Sequence, residues 1–127
     1  MTASSSSEKV SAKKRVMLID DEQSVLFALR LMLEALGHSV AVFPRGKDAV
    51  EELRRNPSFD FVLCDLKMPE MNGLQVLQAI KEICPGVARV LISAHATDAE
   101  VHEAQKIGIH GFLGKPFSVE EITGMLR

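Results

Sequence analysis

The sequence predicts an α/β domain, with a five-stranded parallel sheet and helices on both faces of the sheet. Short apolar runs alternate five times with segments of helical spacing from Arg15 onward, which is the pattern of repeated strand–helix units. The first run, residues 16–19, is apolar without interruption, as expected of a strand that is buried on both faces. Because crossovers between parallel strands are right-handed, the helices are expected on both faces.

Turn residues separate the first predicted elements. Strands are predicted at residues 16–19, 39–43, 59–64, 87–93 and 111–114. Apolar residues at helical spacing indicate the first helix, which ends at Gly37; they are Val25, Leu29, Met32, Leu33 and Leu36. The second helix is predicted over residues 47–55 and ends at Asn56-Pro57.

Capping signals mark the later helices. The third helix ends at Pro85-Gly86, and its apolar face is predicted to hold Leu74, Leu77, Ile80 and Ile83. Thr97 with Glu100, and Ser118 with Glu121, have the spacing of capping boxes and begin the fourth and fifth helices. The fourth helix is expected to share one face among Val101, Ala104 and Ile107, and the fifth is expected to run to the chain end, residues 118–127.

Length and composition exclude several classes of protein. The 127 residues suit one domain, and a net charge of −2 favours neither nucleic acid nor a membrane as a direct partner. Two cysteines cannot form a disulfide framework, and no CxxC pair suggests zinc. No apolar run approaches the ~20 residues of a membrane helix. We expect a cytoplasmic protein with a disordered Ser-rich leader over residues 1–14 and one domain over residues 15–127.

Polar side chains stand at the carboxyl ends of four predicted strands. Asp20 and Asp21 follow the first strand, Asp65 follows the third, Ser93 ends the fourth, and Lys115 follows the fifth. Ligands bind at this edge of open α/β sheets, so these residues are expected to converge on one crevice. Taken alone, each has a simpler interpretation as a helix cap, a turn residue or a solvated lysine.

The converging residue types favour phosphoryl chemistry. Three neighbouring carboxylates repel one another and raise at least one pKa, and a divalent cation relieves that repulsion. A carboxylate-rich site without His or Cys suits Mg²⁺. Asp65 opens an irregular loop and is the candidate nucleophile, while Lys115 and Ser93 can bind phosphoryl oxygens. Phosphoryl transfer needs positioning and charge neutralisation above all, so the sequence predicts a site that accepts a phosphoryl group.

Four segments carry a resemblance to a known family. They read VMLIDDE (16–22), FVLCDLKMPEMNG (61–73), VLISA (90–94) and GFLGKPF (111–117). In this order and at this spacing they resemble the receiver domains of bacterial two-component response regulators over residues 15–127. The resemblance implies a flavodoxin-like sheet of strand order 2-1-3-4-5. Family members usually continue the last helix farther, so that helix is expected to be truncated here, with the chain cut from a longer protein.

The resemblance also implies roles for the acidic residues. Asp65 matches the phospho-acceptor, and Asp20 and Asp21 match the metal-binding acids. Lys67 matches the position whose backbone carbonyl binds the metal, so the implied cofactor is Mg²⁺. Lys115 matches the lysine that binds the phosphoryl group, and its bond to Pro116 is expected to be cis.

Four further roles concern switching and phosphoryl lifetime. Ser93 matches the hydroxyl that moves toward the phosphoryl group, and Phe112 matches the aromatic switch position. Phe112 lacks a hydroxyl, so a switch there must act by packing. Lys67 and His95 match two variable positions that tune the loss of the phosphoryl group.

The function that the resemblance implies is a phosphorylation-switched signalling domain, rather than an enzyme that turns over a separate substrate. A sensor histidine kinase would phosphorylate Asp65, and the face formed by residues 95–127 would then control an output domain after Arg127 or bind a second receiver. An aspartate-nucleophile phosphatase would need a DxD motif where Asp20-Asp21-Glu22 stands, and a flavin carrier would need aromatic stacking residues. A receiver that serves only as a docking surface stays open as an alternative.

Overall fold

The computed structural model describes residues 13–127, so the predicted leader lies outside the described residues except for Lys13 and Lys14. Five strands and five helices alternate along this part of the chain. The strands are β1 (Arg15–Ile19), β2 (Ser39–Phe43), β3 (Phe61–Asp65), β4 (Ala88–Ser93) and β5 (Gly111–Gly114). The helices are α1 (Gln23–Ala35), α2 (Gly46–Arg55), α3 (Gly73–Ile83), α4 (Asp98–Lys106) and α5 (Val119–Met125).

The strands form one parallel sheet in the order β2-β1-β3-β4-β5. The predicted fold class and strand order are therefore confirmed. Asp65 at the end of β3 pairs with Ile92, and Ser93 at the end of β4 pairs with Gly114. The carboxyl ends of the central strands thus lie side by side at one edge of the sheet.

Alternate strand residues enter two separate hydrophobic clusters, one on each face of the sheet. Helices α2 and α3 cover the cluster that includes Met17, Ile19, Val62, Cys64 and Leu91. Helices α1 and α5 cover the cluster that includes Val16, Leu18, Leu63, Ile92 and Leu113. Strand β3 is buried over its whole length, and β1 is buried from Val16 onward. The uninterrupted apolar runs predicted this double burial.

Helix α4 is held largely by polar contacts. Ala104 is its only buried residue. At its C-terminal end, the guanidinium of Arg89 donates hydrogen bonds to the carbonyl oxygens of Ile107 and Gly108, at 3.1 and 2.7 Å. Arg89 lies in β4 and is buried, and this burial lowers the pKa of its guanidinium from the ordinary value. The carbonyls at a helix end have no partner within the helix, and Arg89 supplies donors for them.

Capping boxes begin the last three helices. The boxes predicted for Thr97 with Glu100 and for Ser118 with Glu121 are confirmed. A third box, formed by Asn72 and Gln75, begins α3. This third box was not predicted from the sequence.

Several helix and strand predictions were inaccurate in detail. Helix α5 has seven residues, fewer than the ten of residues 118–127. In α3 the buried face includes Val76, while Leu74 is only partly buried. Ile107 lies just beyond the last residue of α4. Phe59 precedes β3 and is buried beneath the guanidinium of Arg15, whose carbon lies 4.4 Å from the ring centroid.

The two cysteines occupy different environments. Cys64 is fully buried in β3, and this burial raises the pKa of its thiol well above the ordinary value. Cys84 is only partly buried, and both thiols are free. Among residues 13–127, no helix combines the length and apolar character needed to cross a membrane.

Candidate functional site

Three carboxylates meet at the carboxyl edge of the sheet. Asp20 and Asp21 directly follow β1, and Asp65 is the last residue of the adjacent strand β3. One oxygen from each residue lies within 4.8 Å of the corresponding oxygens of the other two. Asp20 and Asp65 are buried, whereas Asp21 is exposed. The structure therefore brings together the three acids predicted to form a metal site.

The ammonium of Lys115 contacts two of these three carboxylates. Its ammonium lies 2.9 Å from Asp20 Oδ2 and 3.0 Å from Asp65 Oδ1. The position of the lysine follows from the sheet, because its backbone N–H donates to the carbonyl of Ser93 at 2.9 Å. The Lys115-Pro116 bond is cis, as the family resemblance implied.

Burial and charge shift the protonation of this cluster. Burial is the largest influence on Asp65 and raises the pKa of its carboxyl, while the hydrogen bond from Lys115 opposes that shift and the charge of Asp20 adds to it. Burial alone would lower the pKa of Lys115, but its contacts with Asp20 and Asp65 raise that pKa above the ordinary value. One ammonium faces three carboxylates, so the site carries an excess of negative charge that a cation can neutralise.

The available oxygens fit a magnesium ion. Asp20 already uses both oxygens, because Oδ1 accepts the N–H of Glu22 at 3.0 Å and Oδ2 faces Lys115. Asp21 and Asp65 Oδ2 accept no hydrogen bond from residues 13–127, and neither does the backbone carbonyl of Lys67. An all-oxygen donor set with exposed approach at Asp21 suits Mg²⁺, which keeps several of its waters.

The two predicted switch residues lie at different depths. Ser93 is buried at the end of β4, and its Oγ accepts the N–H of His95 at 3.1 Å. Phe112 lies in β5 and turns outward, with 37% of its surface exposed. Ser93 therefore lies at the edge of the sheet that holds the carboxylates, while the Phe112 ring lies at the surface.

The two predicted tuning residues lie in the loops beside the acids. His95 is exposed in the loop between β4 and α4. Lys67 is two residues after Asp65, and its ammonium lies 3.3 Å from Glu100 Oε2. From the sequence, Glu100 was predicted only to cap a helix, and its ion pair with Lys67 was not predicted. No periodic pattern links two side chains that are 33 positions apart.

The loop after β3 approaches the acids closely. Gly73 donates its N–H to the carbonyl of Leu66 at 2.9 Å. A Cβ added at Gly73 would lie 2.3 Å from the carbonyl oxygen of Asp65, so only glycine fits at this position. Glu70 has φ of 68° and lies in a tight turn closed by the hydrogen bond from Met71 N–H to the Pro69 carbonyl.

The sequence is similar to those of known proteins over most of its length. Residues 16–127 match the family described as response regulator receiver domain. The transcriptional regulatory protein ZraR of Escherichia coli strain K12 is 32% identical over 112 residues, which are 88% of this chain and 25% of that protein. The chain thus spans about a quarter of the length of the transcriptional regulators named ZraR that it matches.

Solved structures share the fold. A response regulator receiver domain protein from Clostridium thermocellum superposes with a TM-score of 0.85 at 27% identity, covering 89% of this chain and 90% of that chain. A response regulator protein from Burkholderia pseudomallei, solved with a phosphorylated aspartic acid, a calcium ion and citrate, superposes with a TM-score of 0.82 at 26% identity, covering 90% and 66% of the two chains.

Proposed function

The chain belongs to the response regulator receiver domain family, and from this premise we propose that it is a phosphorylation-switched signalling domain whose phospho-acceptor is Asp65. Receiver domains of this family are signalling domains rather than enzymes. The observation that carries the proposal is the cluster itself, in which three carboxylates lie within 4.8 Å and Lys115 contacts Asp65 at 3.0 Å. The phosphorylated aspartic acid of the Burkholderia pseudomallei protein supports the same chemistry.

In the proposed reaction, a carboxylate oxygen of Asp65 attacks the phosphorus of a phosphohistidine on a sensor histidine kinase. A P–O bond forms to Asp65, the P–N bond breaks, and the histidine leaves. No general base is required, because an ionised carboxylate is already a nucleophile. The raised pKa of Asp65 makes its oxygens more basic than those of an exposed aspartate. Lys115 neutralises part of the charge that develops on the phosphoryl oxygens.

Asp20, Asp21, Asp65 and the carbonyl of Lys67 would hold the magnesium ion. When bound, the ion supplies the positive charge that brings an anionic donor to a site already rich in carboxylates. Asp21 is the exposed member and keeps the site open toward solvent. Asp20 also accepts hydrogen bonds from Glu22 and Lys115 and so orients the lysine.

The signal then reaches the surface formed by residues 95–127. We propose that the Ser93 hydroxyl leaves the N–H of His95 to bind a phosphoryl oxygen, and that Phe112 repacks inward in response. Ser93 and Phe112 lie on the neighbouring strands β4 and β5. Ligand-induced bias of an existing two-state equilibrium is sufficient for such a switch. His95 and Lys67 are the residues we propose to tune phosphoryl lifetime.

Two partner surfaces follow from this proposal. An apolar groove of about 490 Å³ lies beside Lys115 and is lined by residues of α1 and the segment after β5, including Val25, Leu29, Met32, Pro116 and Phe117. We propose that the kinase docks there, next to the acceptor, in the cytoplasm. The face formed by residues 95–127 would control an output domain or pair with a second receiver.

A direct test uses a small phosphodonor. Acetyl phosphate with Mg²⁺ should add one phosphoryl group to the wild type, detected by intact mass, and should add none to Asp65→Asn. Asp48→Asn is the matched control, since Asp48 is exposed on α2 and is not a member of the acidic cluster. Equal modification of wild type and Asp65→Asn would refute Asp65 as the acceptor. Calorimetry with Mg²⁺ should show binding that Asp21→Asn weakens and Asp48→Asn leaves unchanged.

A further inference from the structure

Helix α4 depends on contacts at its two ends. Ala104 is its only fully buried residue, so its apolar contacts contribute little of the stability that helices gain from packing. Arg89 holds its C-terminal end through the carbonyls of Ile107 and Gly108. Its N-terminal end is held by the capping box of Thr97 and Glu100 and by an ion pair from Glu100 to Lys67.

Glu100 uses each carboxylate oxygen for a different purpose. Oε1 accepts the N–H of Thr97 at 2.9 Å, and Oε2 lies 3.3 Å from the ammonium of Lys67. The hydrogen bond from Thr97 is the largest cause that lowers the pKa of Glu100, and Lys67 lowers it further. One side chain thus caps α4 and also connects it to the loop that follows Asp65.

This ion pair has an unusual position among those of the described residues. The pairs Arg30–Glu34 and Arg55–Glu52 each lie within one helix, and the others centre on Lys115. Outside the acidic cluster, Lys67–Glu100 is the one pair in residues 13–127 that joins two separate elements. Within the same range, Glu100 is the only carboxylate within 4.0 Å of the Lys67 ammonium.

We infer that the Lys67–Glu100 ion pair is a tether between α4 and the acceptor loop, and that phosphorylation of Asp65 releases it. The release on phosphorylation rests on the proposed function, whereas the tether itself does not. Lys67 is two residues from Asp65, so a phosphoryl group on Asp65 presents a second anionic acceptor to its ammonium. Because Lys67 is 63% exposed, its pair with Glu100 is weak enough to be exchanged. Glu100 then keeps its bond to Thr97, while α4 loses its connection to the loop.

Hydrogen exchange of α4 amides, followed by mass spectrometry, tests the tether in the full chain. Glu100→Gln retains an oxygen that can accept the N–H of Thr97 but loses the charge, and Lys67→Gln removes the other partner. Lys67→Gln should raise exchange of residues 101–106 by up to about five-fold, which is the upper range for an exposed ion pair. Glu100→Gln should raise it at least as much, because its neutral amide also accepts the N–H of Thr97 less strongly. Glu103→Gln is the matched control, since Glu103 is exposed on the same helix and has no ion pair within residues 13–127.

The release step is tested with beryllofluoride and Mg²⁺. In the wild type the mimic should raise exchange in α4 to the level of Lys67→Gln, and it should cause no further rise in either variant. No effect of Lys67→Gln without the mimic, or a further rise when Lys67→Gln is added to Glu100→Gln, would overturn the tether. If the mimic raises α4 exchange in Glu100→Gln as much as in the wild type, the release is refuted. Failure of acetyl phosphate to modify Asp65 refutes the proposed function instead, and the exchange data without the mimic still decide on the tether.

Discussion

Replacing Lys115 by methionine should destabilise the protein strongly, because the lysine is the only cation between two buried carboxylates in the described part of the chain. Its side chain is 18% exposed, while those of Asp20 and Asp65 are 2% and 8% exposed. Removing one partner of a buried ion pair costs about 3–5 kcal/mol. The partial exposure of Lys115 places the expected loss at about 3 kcal/mol, at the lower end of that range.

The loss should depend on pH in a defined direction. Burial raises the pKa of Asp65 above its ordinary value of 3.8, so the folded state binds this proton more tightly than the unfolded state. Ionising Asp65 therefore lowers the free energy of unfolding as pH rises from 3.8 through the raised pKa. Without Lys115 this pKa rises further. The deficit of Lys115→Met should be largest at neutral pH and should shrink on acidification.

Urea denaturation followed by far-ultraviolet circular dichroism measures this loss. Lys67→Met is the matched control, because Lys67 forms an exposed pair that is worth at most about 1 kcal/mol. In an Asp65→Asn background the cost of Lys115→Met should fall by at least about 1 kcal/mol, since one buried carboxylate has been removed. A cost of Lys115→Met no larger than that of Lys67→Met, or an unchanged cost in the Asp65→Asn background, would refute the assumed coupling.

Four further substitutions follow from the geometry, and each is measured by urea denaturation. Gly73→Ala should lower the free energy of unfolding by about 1–3 kcal/mol, because its Cβ would meet the Asp65 carbonyl oxygen at 2.3 Å. Gly124→Ala in α5 meets nothing within 4 Å and should raise the free energy of unfolding by about 0.5–1 kcal/mol. A change of the same sign in both variants would contradict this account. Glu70→Gly should gain about 0.5–1 kcal/mol because it relieves a φ of 68°, and a loss would show that the turn is unstrained. Arg89→Met should lower the free energy of unfolding by about 2–3 kcal/mol and should speed amide exchange at the end of α4. Unchanged exchange there would argue against the capping role of Arg89.

The main features of the fold were predictable because they depend on local patterns. Uninterrupted apolar runs indicated the buried strands β1 and β3, and capping-box spacing located the starts of α4 and α5. The convergence of Asp20, Asp65 and Lys115 was predictable for a different reason. Parallel strands place their carboxyl ends at a common edge, so residues at strand ends meet even when they are far apart in the sequence.

The features that were missed mainly involve long side chains. Arg89 was counted within a strand, but its guanidinium reaches past β4 to the end of α4. Lys67 was predicted to bind the metal through its carbonyl and to tune phosphoryl loss, and the pairing of its ammonium with Glu100 was not predicted. Flexible side chains of this kind choose partners through tertiary geometry, which no sequence spacing encodes. The capping box of Asn72 and Gln75 was also not predicted, although the two residues have the same spacing as the boxes of α4 and α5.

The complete burial of Cys64 gives the molecule an internal reporter of transient opening. An alkylating reagent reaches this sulfur only when the helices that cover this face of the sheet move away from it, whereas the partly buried Cys84 is open to direct attack. In a Cys84→Ser background, the alkylation rate in native buffer therefore measures how often this face of the sheet is uncovered, one residue before Asp65. A cation that binds only the folded protein lowers that frequency in proportion to its occupancy, so thiol chemistry can report magnesium affinity without any spectroscopic label.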